Sequence, residues 1–186
     1  MLNYGVDVNA RDKNGGTPLH EAVAQGKVQL VKELVSRGAD LTARTANSSG
    51  RASFFRVGGL TPFLSAAQTG NIEMMKTLIS LGSSVKEKNP DGVNAIQLAI
   101  FARKLEPLKF LVEAGVDVNQ TRKGDGGALH AAIRFGLNDI IEYLVAKGAD
   151  LTVKDRFGRS PLEEAEFEAP KPTIELLRKL TATQTK

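Results

Sequence analysis

Apolar residues along this chain fall in short helical rows, two rows to a block, with polar turn material between blocks. Leu19, Ala22 and Val23 share one face of a predicted helix that opens at Thr17 and Pro18. Leu30, Val31, Leu34 and Val35 share one face of the next. Threonine caps a helix start, and proline in the first helical place gives up no useful N–H. Gly26 ends the first helix. Gly38 ends the second, with Arg37 at its negative end. Asp, Asn and Gly around short extended pieces then make a turn. The same pattern predicts helix starts at Thr61-Pro62, Asn94-Ala95, Gly127-Ala128 and Ser160-Pro161. Asn71 stands ready to cap a second helix after Gly70.

The blocks recur at a fixed distance. Gly38-Ala39-Asp40 returns as Gly148-Ala149-Asp150, with variants at Gly5-Val6-Asp7, Gly82-Ser83-Ser84 and Gly115-Val116-Asp117. The leading glycines are 33, 44, 33 and 33 residues apart. A period near 33 means one supersecondary unit stacked on itself. The single 44 is a unit carrying 11 extra residues. The chain thus divides into a partial unit 1–11, units 12–44, 56–88, 89–121 and 122–154, a capping unit 155–180 and an insertion 45–55, all within one domain, 1–186.

Composition narrows the function classes. Hydrophobic residues at 41% suffice for a core in a chain of 186 residues, and no apolar run is long enough to span a bilayer. The start, Met1-Leu2-Asn3-Tyr4, has no basic segment followed by an apolar one, so no signal peptide is expected. A formal charge of +4 is a weak case for nucleic acid. Without cysteine there is no disulfide, thiolate zinc site or cysteine nucleophile, and the compartment stays open.

A loop with Asp and Gly, Thr17-Pro18-Leu19-His20, a second helix and Gly38-Ala39-Asp40 together resemble the ankyrin repeat, as do Gly127-Ala128-Leu129-His130 and Gly115-Val116-Asp117-Val118-Asn119. The resemblance covers nearly the whole chain outside 45–55. Gly58-Gly59-Leu60-Thr61-Pro62-Phe63-Leu64 is also similar to stretches of bacterial ankyrin proteins, some of them exported. The family implies an all-α repeat solenoid of helix-turn-helix units with β-hairpin loops, stabilised mainly by neighbour contacts. It also implies a non-catalytic protein–protein interaction module. Departures mark the irregular places. Asn94-Ala95 replaces Thr-Pro, and Arg103 stands where a helix-ending glycine is usual. Pro107 is tolerable only in a first helical turn, and Asp125 stands where the hairpin glycine is usual.

Candidate chemistry is sparse. His20 and His130, 110 residues apart, hold the same place in different repeats. The resemblance implies that each hydrogen-bonds neighbouring backbone; a linear stack does not let them converge on a metal or a substrate. Lys123-Gly124-Asp125-Gly126-Gly127 invites a phosphate-loop reading, but no Gly-Lys-Ser/Thr follows, and a hairpin turn is preferred. Glu163, Glu164 and Glu166 read as a solvated face of the capping unit, not a carboxylate pair. The final helix should carry Ile174, Leu176, Leu177 and Leu180 and fray from Thr181. Asn9 and Asn119, closing Val-Asp-Val-Asn strings, read as hydrogen-bonding turn residues. No serine sits in a nucleophile elbow. No catalytic, metal or cofactor-binding residue is expected.

Partner contacts are expected on a concave face of hairpin tips and first helices. The insertion ends Arg51-Ala52-Ser53-Phe54-Phe55-Arg56, paired aromatics between cations, the composition of an interface anchor. Packing back onto the stack is the competing reading. Register adds Arg44, Arg156 and Phe157 at hairpin tips, and Phe101, Arg134 and Phe135 at the ends of first helices. Phe167 holds a similar helix-end place. Such a surface favours an acidic protein segment with apolar anchors. Two alternatives remain beside it. The chain begins inside a repeat, so an uncovered N-terminal flank could drive self-association. Basic loops could contact nucleic acid.

Overall fold

A computed structural model describes residues 7–47, 57–120 and 126–184. Among them are ten α-helices: α1 (Pro18–Ala24), α2 (Val28–Ser36), α3 (Pro62–Thr69), α4 (Ile72–Ser80), α5 (Ala95–Phe101), α6 (Leu105–Glu113), α7 (Gly127–Arg134), α8 (Asn138–Ala146), α9 (Pro161–Glu168) and α10 (Lys171–Gln184). No strand forms among the described residues; an isolated antiparallel bridge joins Lys88 and Asn94. The fold is an all-α repeat stack.

The helix starts use the expected caps. Thr17 and Thr61 accept a hydrogen bond from the backbone three residues on, each followed by proline. Asn94-Ala95 loses the proline but gains a capping box, in which Gln97 reaches back to the Asn94 backbone. Asn71 caps α4 through the N–H of Met74 at 3.0 Å. Arg103, the only described non-glycine residue with positive φ, sits at φ 55° where a glycine was expected. Pro107 falls in the first turn of α6, where it breaks no helical hydrogen bond.

The chain forms two compact units, Met1–Ala102 and Arg103–Lys186. In the first, α1 packs on α2 and α3 on α4; α1 lies against α3, α2 against α4, and α3 against α5. Its core includes Leu19, Val31, Phe63, Leu64, Met74, Met75, Leu78, Leu98 and Ile100, all fully buried. In the second, α7 pairs with α8 and α9 with α10, and α7 lies against α9. Ile133, Ile141, Leu144, Ala165 and Leu177 fill that core. The last helix continues past Thr181, the residue at which fraying was expected, to Gln184.

Three of the described loops that lead into a helix pair close by one device. Asp12 N–H donates to the carbonyl of Gly16 (2.8 Å), Asn89 to Val93 (2.9 Å) and Asp155 to Arg159 (2.9 Å). In each, the side-chain oxygen takes the returning N–H, at 2.7, 2.8 and 2.9 Å. Thr45 holds this place in the remaining loop of the first unit. Its N–H donates to the Leu60 carbonyl at 3.0 Å, and its Oγ1 accepts the Leu60 N–H at 3.0 Å. The step is 15 residues there against 4 at Asp155 and Arg159, so the insertion leaves the hairpin base closed.

Candidate functional site

Both histidines bind backbone. His20 is nearly buried; its Nδ1 accepts the Thr17 hydroxyl at 2.9 Å and its Nε2 lies 3.0 Å from the Leu60 carbonyl. His130 is 0% exposed, with Nδ1 2.8 Å from the Gly126 carbonyl and Nε2 3.1 Å from the Arg159 carbonyl. Burial is the largest influence on both rings and lowers their pKa. Among the described residues no group of three or more His, Asp or Glu could hold a metal ion, and no helix is long and apolar enough to cross a membrane.

Asn9 and Asn119 tie turns together in the same way. Each amide NH2 donates to a glycine carbonyl, Gly38 at 3.1 Å and Gly148 at 2.8 Å. Each amide oxygen accepts an aspartate N–H, Asp40 and Asp150, both at 2.8 Å.

In the first unit a groove of about 560 Å³ lies between the loop running from Ala10 to Gly16 and the outward sides of α1 and α3. Glu21 and Ala24 line it from α1, and Ser65, Gln68 and Thr69 from α3. Arg44, expected as a tip cation for a partner, instead turns inward: its Nη1 donates to the Gly59 carbonyl at 3.0 Å, and its own carbonyl takes Arg11 Nη1 at 2.7 Å. Phe101 is half-buried at the end of α5. Arg51, Phe54, Phe55 and Arg56 lie outside the described residues.

The second unit gathers most of the remaining candidates at its last repeat. Arg156 and Phe157 form the tip of the hairpin that Asp155 and Arg159 close. Phe157 is 67% exposed, and Phe167, at the end of α9, is 75% exposed. The Arg159 guanidinium lies 4.8 Å from the Phe157 ring centre and 4.9 Å from that of Phe167, and Arg156 lies 5.1 Å from the Phe157 ring. Arg159 is fixed from the side by Asp155, whose Oδ2 accepts Nε and Nη2 at 3.1 and 2.9 Å. These contacts make a cation–π stack with two exposed rings. Arg134, from α7, is half-buried behind it. Phe135 is set apart from the stack, with the Arg103 guanidinium 5.3 Å from its ring centre.

The three acidic residues of the cap do not share one environment, which corrects the expectation of a solvated face. Glu163 fits it: it closes the capping box on Ser160 and pairs with Lys154 at 2.8 Å, and the Lys154 and Ser160 contacts bring its carboxyl down to about 2. Glu166 pairs with Arg178 at 2.8 Å. Glu164 is 0% exposed, and neither carboxylate oxygen has a hydrogen-bond partner. Oε1 lies 3.6 Å from Arg134 Nε and 3.8 Å from Arg159 Nη2. Desolvation outweighs those two cations and pushes the carboxyl up to about 7. Register had already placed Phe167 at an exposed helix end. Arg159 and Glu164 were missed as site residues, and both show only once the hairpin is folded onto α9.

Comparison with known proteins agrees with this architecture. The family described as "Ankyrin repeats (3 copies)" matches residues 46–122 and 63–155, and that described as "Ankyrin repeat" matches residues 14–46. The chain is similar to the nuclear factor NF-kappa-B p105 subunit of Gallus gallus, 30% identical over 88% of this chain and 16% of that protein. It is also similar to an ankyrin repeat and KH domain-containing protein of Caenorhabditis briggsae, 29% identical over 83% of this chain and 5% of that protein. Protein phosphatase 1 regulatory subunit 27 of Homo sapiens is 34% identical over 39% of this chain and 47% of that protein. The chain thus spans less than half the length of each.

Proposed function

Because the chain belongs to the ankyrin repeat family, we propose that it is a non-catalytic module that binds a protein segment along its hairpin loops and first helices. Ankyrin repeats are in general protein–protein interaction modules. The observation that carries the reading is the groove of about 560 Å³ in the first unit, whose mainly apolar lining is edged by Arg11, Asn14, Glu21 and Gln68. Its walls are pre-ordered: the Asp12 side chain fixes the loop, and the Thr17 cap fixes α1. A pre-ordered wall lowers the conformational cost of binding. In the second unit, taken by itself, Arg156 and Phe157 occupy a hairpin tip and are proposed as a separate partner contact.

A photo-crosslinking residue placed at Gln68 tests this. Gln68 lines the groove, and Lys76 is exposed on the second helix of the same repeat. A protein cross-linked in cells from position 68 and not from position 76 is the expected result. Equal labelling from both positions, or none from 68, counts against the groove.

A further inference from the structure

We propose that the Phe157–Arg159–Phe167 stack is a docking site for an acidic segment bearing apolar side chains, and that the charge on Glu164 behind the stack sets its affinity. This rests on the protein-binding reading above and names the partner chemistry and the regulation of its C-terminal part.

The stack offers both halves of such a contact. Phe157 and Phe167 are the exposed large hydrophobic side chains of the described residues, yet neither is loose, because each ring lies against the Arg159 guanidinium. Arg159 cannot swing away, since two of its nitrogens are held by Asp155. Its Nη1 has no hydrogen-bond partner among the described residues. Arg156, exposed beside the ring of Phe157, has no carboxylate partner there either. Two ordered apolar faces with unsatisfied guanidinium donors between and beside them fit a carboxylate flanked by aliphatic or aromatic side chains. Ordered aromatics and arginine are the usual anchors of an interface.

Glu164 supplies the control. Its buried carboxyl makes no hydrogen bond, so it can change charge without breaking one. The charged groups facing it are Arg134 from α7, Asp155 and Arg159 from the hairpin, and Glu168 from its own helix. From α10, Arg178 is taken by Glu166. His130 of α7 contacts the Arg159 carbonyl, and its lowered pKa keeps it neutral above about pH 6.5. Asp155 is held below the usual carboxylate range and stays charged. Between about pH 6.5 and 8.5 the buried group that changes is therefore Glu164, with a pKa of about 7. When it is neutral, Arg134 and Arg159 lose a compensating anion, and an incoming carboxylate meets a more positive stack. One buried charge behind a partly screened site is worth roughly a several-fold change in affinity.

The test uses the full chain and a fluorescein-labelled Gly-Ser peptide carrying two Glu-Leu pairs, with a Gln-Leu peptide as control. The probe glutamates stay ionised over the whole window, their ordinary pKa being about 4.3. Expected is a Kd about three- to tenfold lower at pH 6.5 than at pH 8.5. Glu164→Gln should show the tighter Kd at both pH values, and Phe157→Ala and Phe167→Ala should each weaken binding about tenfold. Both phenylalanines are exposed, so these variants should fold normally, as circular dichroism would verify. The idea is overturned if the Gln-Leu peptide binds equally well, if the pH dependence survives Glu164→Gln, or if neither peptide binds. Binding that shifts only the amides of residues 10–16 and 65–69 overturns it too, while leaving the broader protein-binding reading intact.

Discussion

His130 Nε2 lies 3.1 Å from the carbonyl oxygen of Arg159, while its Nδ1 lies 2.8 Å from that of Gly126. Both neighbours only accept, so a neutral ring, with one N–H, satisfies one of them at a time. His20 differs. The Thr17 N–H (3.3 Å) and hydroxyl (2.9 Å) face Nδ1, and the Leu60 carbonyl faces Nε2 at 3.0 Å, so the Nε2–H tautomer satisfies every contact. Ring nitrogen shifts should therefore report a single Nε2–H tautomer for His20. For His130, replacement by alanine should cost about 2 kcal/mol at pH 8 through a lost buried hydrogen bond and the space left behind. Its folded pKa is lowered, so its contribution is present above the unfolded value of 6.5 and is lost as pH falls through the folded value. The penalty for His130→Ala, read from urea unfolding, should be smaller at pH 5 than at pH 8. An equal penalty at both would contradict a neutral buried ring.

Gly126 should not tolerate a side chain. It caps α7 at φ 68°, and a Cβ there would meet the His130 ring at 2.3 Å. The ring is fully buried and cannot give way without leaving Arg159. Gly126→Ala should destabilise the protein by about 2–3 kcal/mol, combining backbone strain with overpacking. The double variant with His130→Ala should be less damaged than the sum of the singles, because the clash vanishes with the ring. Additive losses in thermal unfolding would refute the assigned cause.

Much of the fold was legible because repeat register fixes local chemistry. The caps at Thr17, Thr61 and Ser160, the positive φ at Arg103 and the first-turn position of Pro107 follow from residue type and place alone. The histidine pair and the Asn9 and Asn119 turns follow from recurrence. The site was less legible, since register says where a side chain starts and not what it meets. Glu21 and Glu164 each stand four residues after their N-cap; Glu21 is exposed and Glu164 fully buried. The difference is made by Arg134 and Arg159 arriving from other elements. Arg44 carries the same lesson: the Gly59 carbonyl, made available by the hairpin base, draws a tip cation inward.

Thr45 should matter more than a loop residue normally does. It makes two of the bonds that close the hairpin base across the insertion, through its N–H and through Oγ1. Thr45→Val keeps the first and removes the second, leaving the Leu60 N–H without its acceptor. A cost of about 1 kcal/mol is expected. Hydrogen exchange should quicken at the Leu60 amide and stay nearly unchanged at residue 45. Unaltered exchange at Leu60 would mean that the side chain does not close this loop.

Glu164 should set an unusual pH dependence of stability. Its carboxyl is about 7 in the folded protein against an ordinary 4.5, so the folded state holds its proton more tightly than the unfolded chain does. Below about pH 4.5 both states are protonated and the group costs nothing extra. As pH rises from 4.5 through 7 the unfolded carboxyl ionises freely while the buried one resists, and stability is lost. Above pH 7 the loss is complete, about 3 kcal/mol for a rise from 4.5 to about 7. Glu164→Gln keeps the shape and removes the ionisation. The variant should match the parent near pH 4.5 and exceed it at pH 8 by about that amount, a sign opposite to the usual loss from deleting a carboxylate beside two arginines. The two cations explain why the sign must be measured: at 3.6 and 3.8 Å they attract the carboxylate but do not hydrogen-bond it, so attraction is set against full desolvation. Urea unfolding of both proteins at pH 5 and pH 8 separates the cases. If the variant is the less stable at pH 8, attraction wins, and Glu164 is a buried ion pair, not a proton-holding acid.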